Sequence, residues 1–277
     1  MEYSPKKMQD LLDKNEFRLK KQFGQNFIVD ENIINNIINK SELSKDIMVI
    51  EIGPGAGSLT YKLAQASKNV LCYEIDTTLE NVLKENLKDL DNVDIVFKYF
   101  LKADVSDDLK KYNFKQLYVV ANLPYYITTP IITKIIEDKL PVDKIVVMVQ
   151  KEVGDRFKAT PNSKDYNSLS IYLNYYYEVS KLMDISRNIF IPKPNVDSII
   201  VCFKKKKDRI VLKDEKLFFQ LVRDAFKQKR KNLRNNLKKY DLEKIEQILK
   251  VMNLDLNVRA ESLSIEVFAT LANGLVD

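Results

Sequence analysis

A glycine-rich loop after an acidic residue is the first segment of this sequence whose residue types could do chemistry. Glu51-Ile-Gly-Pro-Gly-Ala-Gly57 has glycine at every second position, and glycine lets a backbone turn sharply and approach a ligand closely. Ser58 breaks the dinucleotide fingerprint G-x-G-x-x-G. Glu74 ends the next predicted strand, where a carboxylate can accept bonds from two ribose hydroxyls. Together they indicate an adenosine-containing cofactor, and a plain strand-to-helix turn is the alternative for the loop alone.

Asn122-Leu-Pro-Tyr125 is the second such segment, and it also follows a predicted buried strand. Proline fixes the local backbone. An asparagine oxygen and a backbone carbonyl can accept both hydrogens of an exocyclic amine, which aims the nitrogen lone pair at an electrophile. A neighbouring aromatic ring can stack on an extruded base. A turn with a capping asparagine and a core tyrosine is the alternative interpretation.

The third segment is strongly basic. Residues 204–277 hold 18 Lys+Arg and 11 Asp+Glu, a balance of +7, so residues 1–203 carry the remaining −1 of the net +6. The 13-residue window 227–239 contains no acid. Its basic residues are Lys227, Lys229, Arg230, Lys231, Arg234, Lys238 and Lys239. This charge distribution favours an anionic partner such as RNA, and a solvated helical surface is the alternative.

Short β-branched runs that alternate with helical patterns must position these segments. They predict an α/β fold, a Rossmann-like parallel sheet with helices on both faces. Residues 168–203 predict a last helix and two strands that close the sheet with an antiparallel hairpin. Beyond Lys204–Lys207 the pattern is helical over 215–226, 228–240, 241–252 and 261–275. We therefore expect a first domain over 1–206 and a small all-α domain over 207–277.

Composition excludes several kinds of catalysis. The chain has no histidine, so Ser-His-Asp catalysis, Cys-His catalysis and His-ligated zinc are excluded. We expect Cys72 and Cys202 to be buried as small hydrophobic side chains, in a protein that resides in a reducing compartment. Residues 1–27 are charged and lack an apolar core, so we expect no export signal. We also expect no membrane span, no metal site and a cytoplasmic monomer.

The chain resembles the rRNA adenine N6-dimethyltransferases, and specifically the branch that modifies small-subunit (16S) rRNA. The resemblance covers nearly all of residues 17–275. The motifs that carry it are Phe23–Phe27, Glu51–Gly57, Tyr73–Asp76, Asn122–Tyr126, Gln150–Val153 with Arg156-Phe157, Ile191–Ser198 and Phe226–Leu233. The resemblance implies S-adenosyl-L-methionine (SAM) as methyl donor and the small-subunit rRNA or 30S particle as partner.

The same resemblance implies roles for individual residues. The implied cofactor-binding residues are Asn26, Ile28, Gly53, Gly55, Glu74, Ile75, Tyr99 and Asn122. The implied catalytic residues are Asn122 with the Pro124 carbonyl, which would hold the target N6, and Tyr125 and Phe190, which would sandwich the flipped adenine. The expected RNA-binding residues are Lys227, Lys229, Arg230, Lys231 and Arg234.

One position departs from the family pattern. The family usually has Gly-Asp where this chain has Lys98-Tyr99, and that Asp accepts a bond from the adenine amine of the cofactor. A tyrosine supplies no carboxylate. The loss of one charge-assisted hydrogen bond costs about 1.5–3 kcal/mol. Asp104 could replace it only if the loop changed register.

The expected function is dimethylation of two adjacent adenosines in the 3′-terminal hairpin loop of 16S rRNA, with a role in small-subunit biogenesis. Methyl transfer from a sulfonium needs no general acid, which agrees with the missing histidine. The alternatives are a large-subunit (23S) dimethyltransferase that confers macrolide resistance and a non-catalytic 30S assembly factor. A DNA adenine methyltransferase and an NAD-dependent oxidoreductase fit the motifs less well.

Overall fold

A computed structural model describes residues 26–276 of the chain, so the first part of the motif Phe23–Phe27 lies outside the described residues. The strands are β1 (Phe27–Ile28), β2 (Ile47–Ile52), β3 (Asn69–Glu74), β4 (Val93–Phe97), β5 (Gln116–Asn122), β6 (Val142–Gln150), β7 (Tyr177–Ile185), β8 (Phe190–Ile191) and β9 (Ser198–Lys205). The α-helices are α1 (Glu31–Ser41), α2 (Ser58–Ala66), α3 (Glu80–Leu87), α4 (Val105–Asp108), α5 (Thr128–Glu137), α6 (Lys151–Phe157), α7 (Ser168–Tyr176), α8 (Glu215–Ala225), α9 (Leu233–Asn236), α10 (Leu242–Val251) and α11 (Ile265–Val276).

Seven strands form one mixed sheet in the order β4-β3-β2-β5-β6-β9-β7. The pairs β2–β3, β2–β5, β3–β4 and β5–β6 are parallel, whereas β9 is antiparallel to β6. β9 and β7 are neighbours at the end of the sheet. The predicted parallel strands are confirmed over β2–β6, and the two strands predicted within residues 168–203 are the last two of the sheet, β7 and β9. That these two form an antiparallel hairpin stays a prediction.

The central strand β2 explains why the chain folds this way. All six of its residues are buried, as expected for a parallel strand that is covered on both faces. Val49 of β2 shares one core cluster with Ile34 of α1 and Leu63 of α2. Burial of each such side chain stabilises the fold by about 1.5–3 kcal/mol.

A separate two-stranded ladder joins β1 to β8. The two strands are antiparallel, with Phe27 opposite Ile191 and Ile28 opposite Phe190. The backbone N–H of Val29 also donates to the carbonyl of Ile189 at 3.0 Å. This ladder fixes the backbone that follows Asn26.

The described chain divides into two compact units. The first contains residues up to 154 together with 180–204, and the second contains 155–179 together with 205–276. The expected boundary after 206 lies two residues from the division at 204/205, and the second unit also takes in α7. The core of the second unit includes Ile171, Phe218, Leu249 and Phe268. That the units act as a methyltransferase domain and an RNA-docking domain stays a prediction.

The helix predicted over residues 228–240 is wrong. Only α9 forms there, and residues 227–232 make turns. The cause is the side-chain amide of Asn236, which donates to the carbonyls of Ala225 at 2.7 Å, Gln228 at 3.2 Å and Lys231 at 3.4 Å. Side-chain amides that bond backbone carbonyls in this way compete with a helical ladder.

Among residues 26–276 no helix is long and apolar enough to cross a bilayer.

Candidate active site

A cleft that is open to solvent lies at the carboxyl ends of β2, β3, β4 and β5. Open α/β sheets bind their ligands at this edge. The lining comes from five segments of the first unit, residues 26–28, 51–56 with 58–59, 73–75, 98–100 and 122–124 with 127. The structure therefore brings together both motifs that the sequence singled out in the first domain.

The three glycines of the loop share positive φ angles but differ in what surrounds the position of a Cβ. Their φ angles are +74° at Gly53, +60° at Gly55 and +87° at Gly57, a region that other residues rarely adopt. A Cβ on Gly55 would lie 2.8 Å from Cε1 of Phe27, and a Cβ on Gly57 would lie 3.3 Å from Leu83. A Cβ on Gly53 would meet no atom within 4 Å. Gly53 thus borders open space in the cleft, whereas the other two permit close packing.

Glu74 ties the glycine loop to the end of β3. Its side chain is buried, with 4% exposed. Oε1 accepts from the backbone N–H groups of Ile75 and Asp76, both at 2.8 Å, and Oε2 accepts from that of Gly55 at 3.2 Å. Burial raises the pKa of Glu74 although these three bonds oppose the shift. Each carboxylate oxygen has two acceptor positions, so Oε2 keeps capacity for a ligand hydroxyl.

Glu51 is a second buried acid in the cleft, and sequence reasoning gave it no role beyond preceding the loop. Its side chain is 1% exposed, and burial raises its pKa to about 8. The thiol of Cys72 donates to Glu51 Oε2 at 3.7 Å. Within residues 26–276 no cationic side chain pairs with Glu51. The signal that could have revealed it is a carboxylate inside the otherwise apolar strand Ile47–Ile52.

The amide of Asn122 has a fixed orientation. Its Nδ2 donates to the backbone carbonyl of Asn26 at 2.9 Å. Because a carbonyl oxygen only accepts hydrogen bonds, the amino end of the side chain must face it. The other end, Oδ1, is therefore left to accept a bond on the side of the cleft.

The two backbone carbonyls that follow Asn122 differ. The carbonyl of Pro124 accepts from the N–H of Ile127 at 3.2 Å and from Oγ1 of Thr128 at 3.3 Å. In the described part of the chain no hydrogen bond ends on the carbonyl of Leu123. A carbonyl oxygen has two lone pairs, so Leu123 offers a better acceptor for a ligand than the predicted Pro124.

The two aromatic residues predicted to hold the base are placed differently. Tyr125 is half-buried, and its hydroxyl lies 2.8 Å from Oγ of Ser198. Phe190 is 2% exposed and packs in the core with Ile28. Neither ring lines the cleft. Stacking of a base on Phe190 would require this ring to leave its packed position.

Tyr99 lines the cleft, as its place in the sequence predicted, and it is half-buried. The acids among the lining residues of the described chain are Glu51 and Glu74. Asp104 caps α4 instead, where its carboxylate accepts from the N–H of Asp107 at 3.0 Å. Asp104 is not among the lining residues of the cleft, so it does not take the place of the missing carboxylate.

The predicted RNA-binding residues lie in the second unit, and all five are exposed. They are Lys227, Lys229, Arg230, Lys231 and Arg234. Asp224 anchors this segment, since it accepts from Nζ of Lys239 at 2.7 Å and from the hydroxyl of Tyr240 at 2.6 Å. Burial opposes ionisation of Asp224, but hydrogen bonds from Gln220, Lys239 and Tyr240 hold its pKa at about 2.

The fold defines a class of protein, because solved methyltransferases superimpose on it. A dimethyladenosine transferase from Plasmodium falciparum superimposes with a TM-score of 0.73 at 24% identity, over 88% of this chain and 95% of that one. The 23S rRNA methyltransferase ErmE superimposes with a TM-score of 0.70 at 25% identity, over 91% and 100%. The fold is that of the α/β methyltransferases.

Sequence comparison then gives the family. Residues 16–277 match the family model for ribosomal RNA adenine dimethylase. The chain is 45% identical to the ribosomal RNA small subunit methyltransferase A of Bacillus mycoides and 46% identical to that of Bacillus cereus, over 99% of this chain and 97% of each relative. This chain belongs to the ribosomal RNA adenine dimethylase family. The predicted family and enzyme class are confirmed.

The buried acid Glu51 predicts how stability depends on pH. Its pKa is about 8 in the folded chain against an ordinary 4.5, so between these values the folded state keeps a proton that the unfolded state has lost. Stability from this group is complete below pH 4.5 and falls as the pH rises to 8, by about 1.4 kcal/mol per pH unit. We expect Glu51→Gln to gain stability over the unaltered protein as the pH rises from 5 to 8, in urea unfolding curves.

Burial also raises the pKa of Glu74, so this group makes stability fall with rising pH in the same way. Because Glu74 is present in both the unaltered protein and Glu51→Gln, its contribution cancels when their stabilities are subtracted. Glu137→Gln, at an exposed glutamate of the same unit, is the matched control and should follow the unaltered protein. Parallel stability curves for Glu51→Gln and the unaltered protein would contradict the assigned pKa.

Proposed function

We propose that this chain transfers methyl groups from SAM to N6 of two adjacent adenosines in the 3′-terminal hairpin loop of 16S rRNA. The observation that carries the proposal is the amide of Asn122 at the carboxyl end of β5, whose Nδ2 donates to the Asn26 carbonyl and so leaves Oδ1 to accept a bond. Its relatives at 45% and 46% identity are named as small-subunit rRNA methyltransferases. The corresponding substrate is a small-subunit ribosomal particle, and the place of action is the cytoplasm.

The residues of the cleft fit SAM. Gly53 borders open space that any side chain would narrow. Glu51 is a buried acid with a raised pKa and no cationic partner among the described residues, so a cationic ligand would stabilise its ionised form. SAM supplies an electrophilic methyl group on a sulfonium. Asn26 and the backbone of Ile28 would hold its methionine end. The residues that would hold the rest are Gly53, Gly55, Glu74, Ile75, Tyr99 and Asn122.

The chemistry rests on orientation of the adenine amine. Asn122 Oδ1 and the free Leu123 carbonyl would accept its two hydrogens and direct the nitrogen lone pair at the methyl carbon. We propose Leu123 for this bond rather than Pro124, whose carbonyl already accepts two bonds. Fixed dipoles and alignment of this kind stabilise a transition state without a proton donor. The departing thioether needs no protonation, and the amine proton can pass to water.

The adenine must leave its stack to reach Asn122. Extrusion costs a few kcal/mol, less in an unpaired loop. Stacking on the Tyr125 ring contributes about 1–3 kcal/mol and would largely offset it. Phe190 is the proposed second wall, after its ring moves out of the core.

Affinity for the particle would come from phosphate contacts of the basic segment in the second unit. The exposure of all five residues supports this role. Part of the charge is already used, because Lys229 Nζ donates to the Lys164 carbonyl at 2.9 Å and Arg234 lies 3.5 Å from Glu246. Lys227, Arg230 and Lys231 are therefore the strongest candidates.

A non-catalytic assembly factor is the second candidate, because the cleft lacks a carboxylate at position 99. Such a protein would associate with small-subunit particles and bind SAM weakly or not at all. The large-subunit alternative has less support, since the chain is 25% identical to a 23S enzyme against 45–46% for the small-subunit relatives.

Asn122→Ala tests the proposed chemistry. We expect it to lower the rate of methyl transfer about 100-fold or more, because an oriented acceptor at the reacting group is lost. The measurement is incorporation from tritiated SAM into undermethylated small subunits, with primer extension to locate the methylated bases. Asn36→Ala, at an exposed position of α1, is the matched control. An unchanged rate in Asn122→Ala would overturn the mechanism.

Tyr99→Asp tests the departure in the cleft. It restores one charge-assisted bond of about 1.5–3 kcal/mol, so calorimetry should show SAM binding about 10–100-fold tighter. Tyr99→Phe, which keeps the ring, is the matched control and should bind as the unaltered protein does. Weaker binding by Tyr99→Asp would show that the tyrosine ring itself contacts the cofactor. Unaltered protein that binds particles but no SAM would favour the assembly factor.

Removal of charge from the basic segment tests docking. Alanine at Lys227, Arg230 and Lys231 should weaken particle binding and lower the salt dependence by about 0.7–0.9 per lost phosphate contact, because fewer counterions are released. The control with the same loss of charge is alanine at Lys110, Lys111 and Lys115, exposed residues of the first unit. Filter binding at several salt concentrations measures both the affinity for the particle and its salt dependence. Equal effects of the two triple variants would exclude a specific docking surface.

A further inference from the structure

The hydroxyl of Tyr125 is anchored by a residue to which the proposed mechanism gives no role. Tyr125 follows β5, and Ser198 begins β9, 73 positions later in the chain. Their oxygens lie 2.8 Å apart. Ser198 is completely buried, whereas Tyr125 is half-buried. One end of the bond is therefore set in the protein interior, and the other end belongs to a ring near the surface.

Ser198 has little freedom to move. It is paired with Gln150 in the antiparallel ladder of β6 and β9. The residue before it, Asp197, accepts the N–H of Lys151 on its backbone carbonyl at 3.1 Å and the N–H of Arg187 on its side chain at 3.0 Å. The Ser198 hydroxyl is thus a fixed point in the first unit.

The ring of Tyr125 needs a fixed hydrogen-bond partner to keep a single orientation. Its backbone lies in a single turn of 3-10 helix, and the ring turns about two side-chain dihedral angles. A hydrogen bond at the far end of the ring fixes both angles at once. Burial raises the pKa of Tyr125, so the phenol keeps its proton and the bond persists across the neutral pH range.

We propose that Ser198 is a positioning residue, which holds the Tyr125 ring in the plane that stacks on the target adenine. The role rests on the proposed function, in which Tyr125 contacts the extruded base. Misplacement of a reacting group by about 1 Å can cost 100-fold in rate, so a tilt of the ring that shifts the base relative to Asn122 would slow methyl transfer. Ser198 itself touches neither cofactor nor base.

A double-mutant cycle of Ser198→Ala and Tyr125→Phe tests this role. Each change removes the same hydrogen bond, one from the interior and one from the ring. Both single variants should lower kcat for methylation of small-subunit particles about tenfold, and the double variant should lower it no further. SAM affinity in calorimetry should stay within about twofold, because the bond lies outside the cofactor cleft. Ser67→Ala removes another buried hydroxyl, bonded to Leu63 at 2.7 Å, and should leave kcat unchanged.

The outcomes separate the two proposals. An inactive unaltered protein overturns the proposed function and, with it, the role of Ser198. Active unaltered protein with full kcat in Ser198→Ala overturns the positioning role alone. Independent effects that multiply in the double variant also overturn it, because Ser198 would then act without Tyr125. If the melting temperature shows that Ser198→Ala does not fold, the test rests on Tyr125→Phe, which removes the same hydrogen bond. Full kcat in Tyr125→Phe would then overturn the positioning role.

Discussion

The orientation of a single amide is the constraint on which the rest of the site depends. The two ends of an asparagine side chain have nearly the same shape but opposite hydrogen-bonding character. The carbonyl of Asn26 selects the amino end of Asn122 and so determines that the cleft receives an acceptor. With the opposite orientation the site would offer donors to an amine, which it could not bind. In the proposed function, the β1–β8 ladder that fixes the backbone after Asn26 therefore helps to orient this acceptor.

Charge is the second constraint on the cleft. Two acids of the first unit, Glu51 and Glu74, are buried at its edge, and burial of a carboxyl group without a cation is unfavourable. Retention of both is understandable if the ligand itself carries positive charge, as a sulfonium does. With Tyr99 at the position where the family usually has an acid, Glu51 and Glu74 are the acids among the described lining residues. A cation bound beside Glu51 would favour its ionised form and lower its raised pKa, whereas Tyr99 changes the contact that the family resemblance implies for adenine.

The sequence predicts the sheet because β-branched runs ended by Gly, Asn or Pro have few alternatives. It also predicts which loops meet, since the carboxyl ends of parallel strands share one edge. It does not distinguish the carbonyls of Leu123 and Pro124, because the bonds that the Pro124 carbonyl accepts from Ile127 and Thr128 form only in the folded chain. Burial of Phe190 and the loop around Asn236 escape prediction for the same reason: contacts between distant residues, rather than local preference, produce them.

The strand order places residues that suit a cofactor on one side of β2 and residues that suit the target base on the other. β2, β3 and β4 present the glycine loop, Glu74 and Tyr99, which suit a nucleoside cofactor. β5, β6 and β9 lie on the other side of β2. Asn122 ends β5, Tyr125 follows it and Ser198 begins β9. The antiparallel strand β9 is what allows a buried residue near the start of a strand to reach the loop after β5, since a parallel strand would begin at the opposite edge of the sheet. The closing strand therefore does more than cover the sheet, because it places Ser198 against the Tyr125 ring, which stacks on the target base in the proposed function.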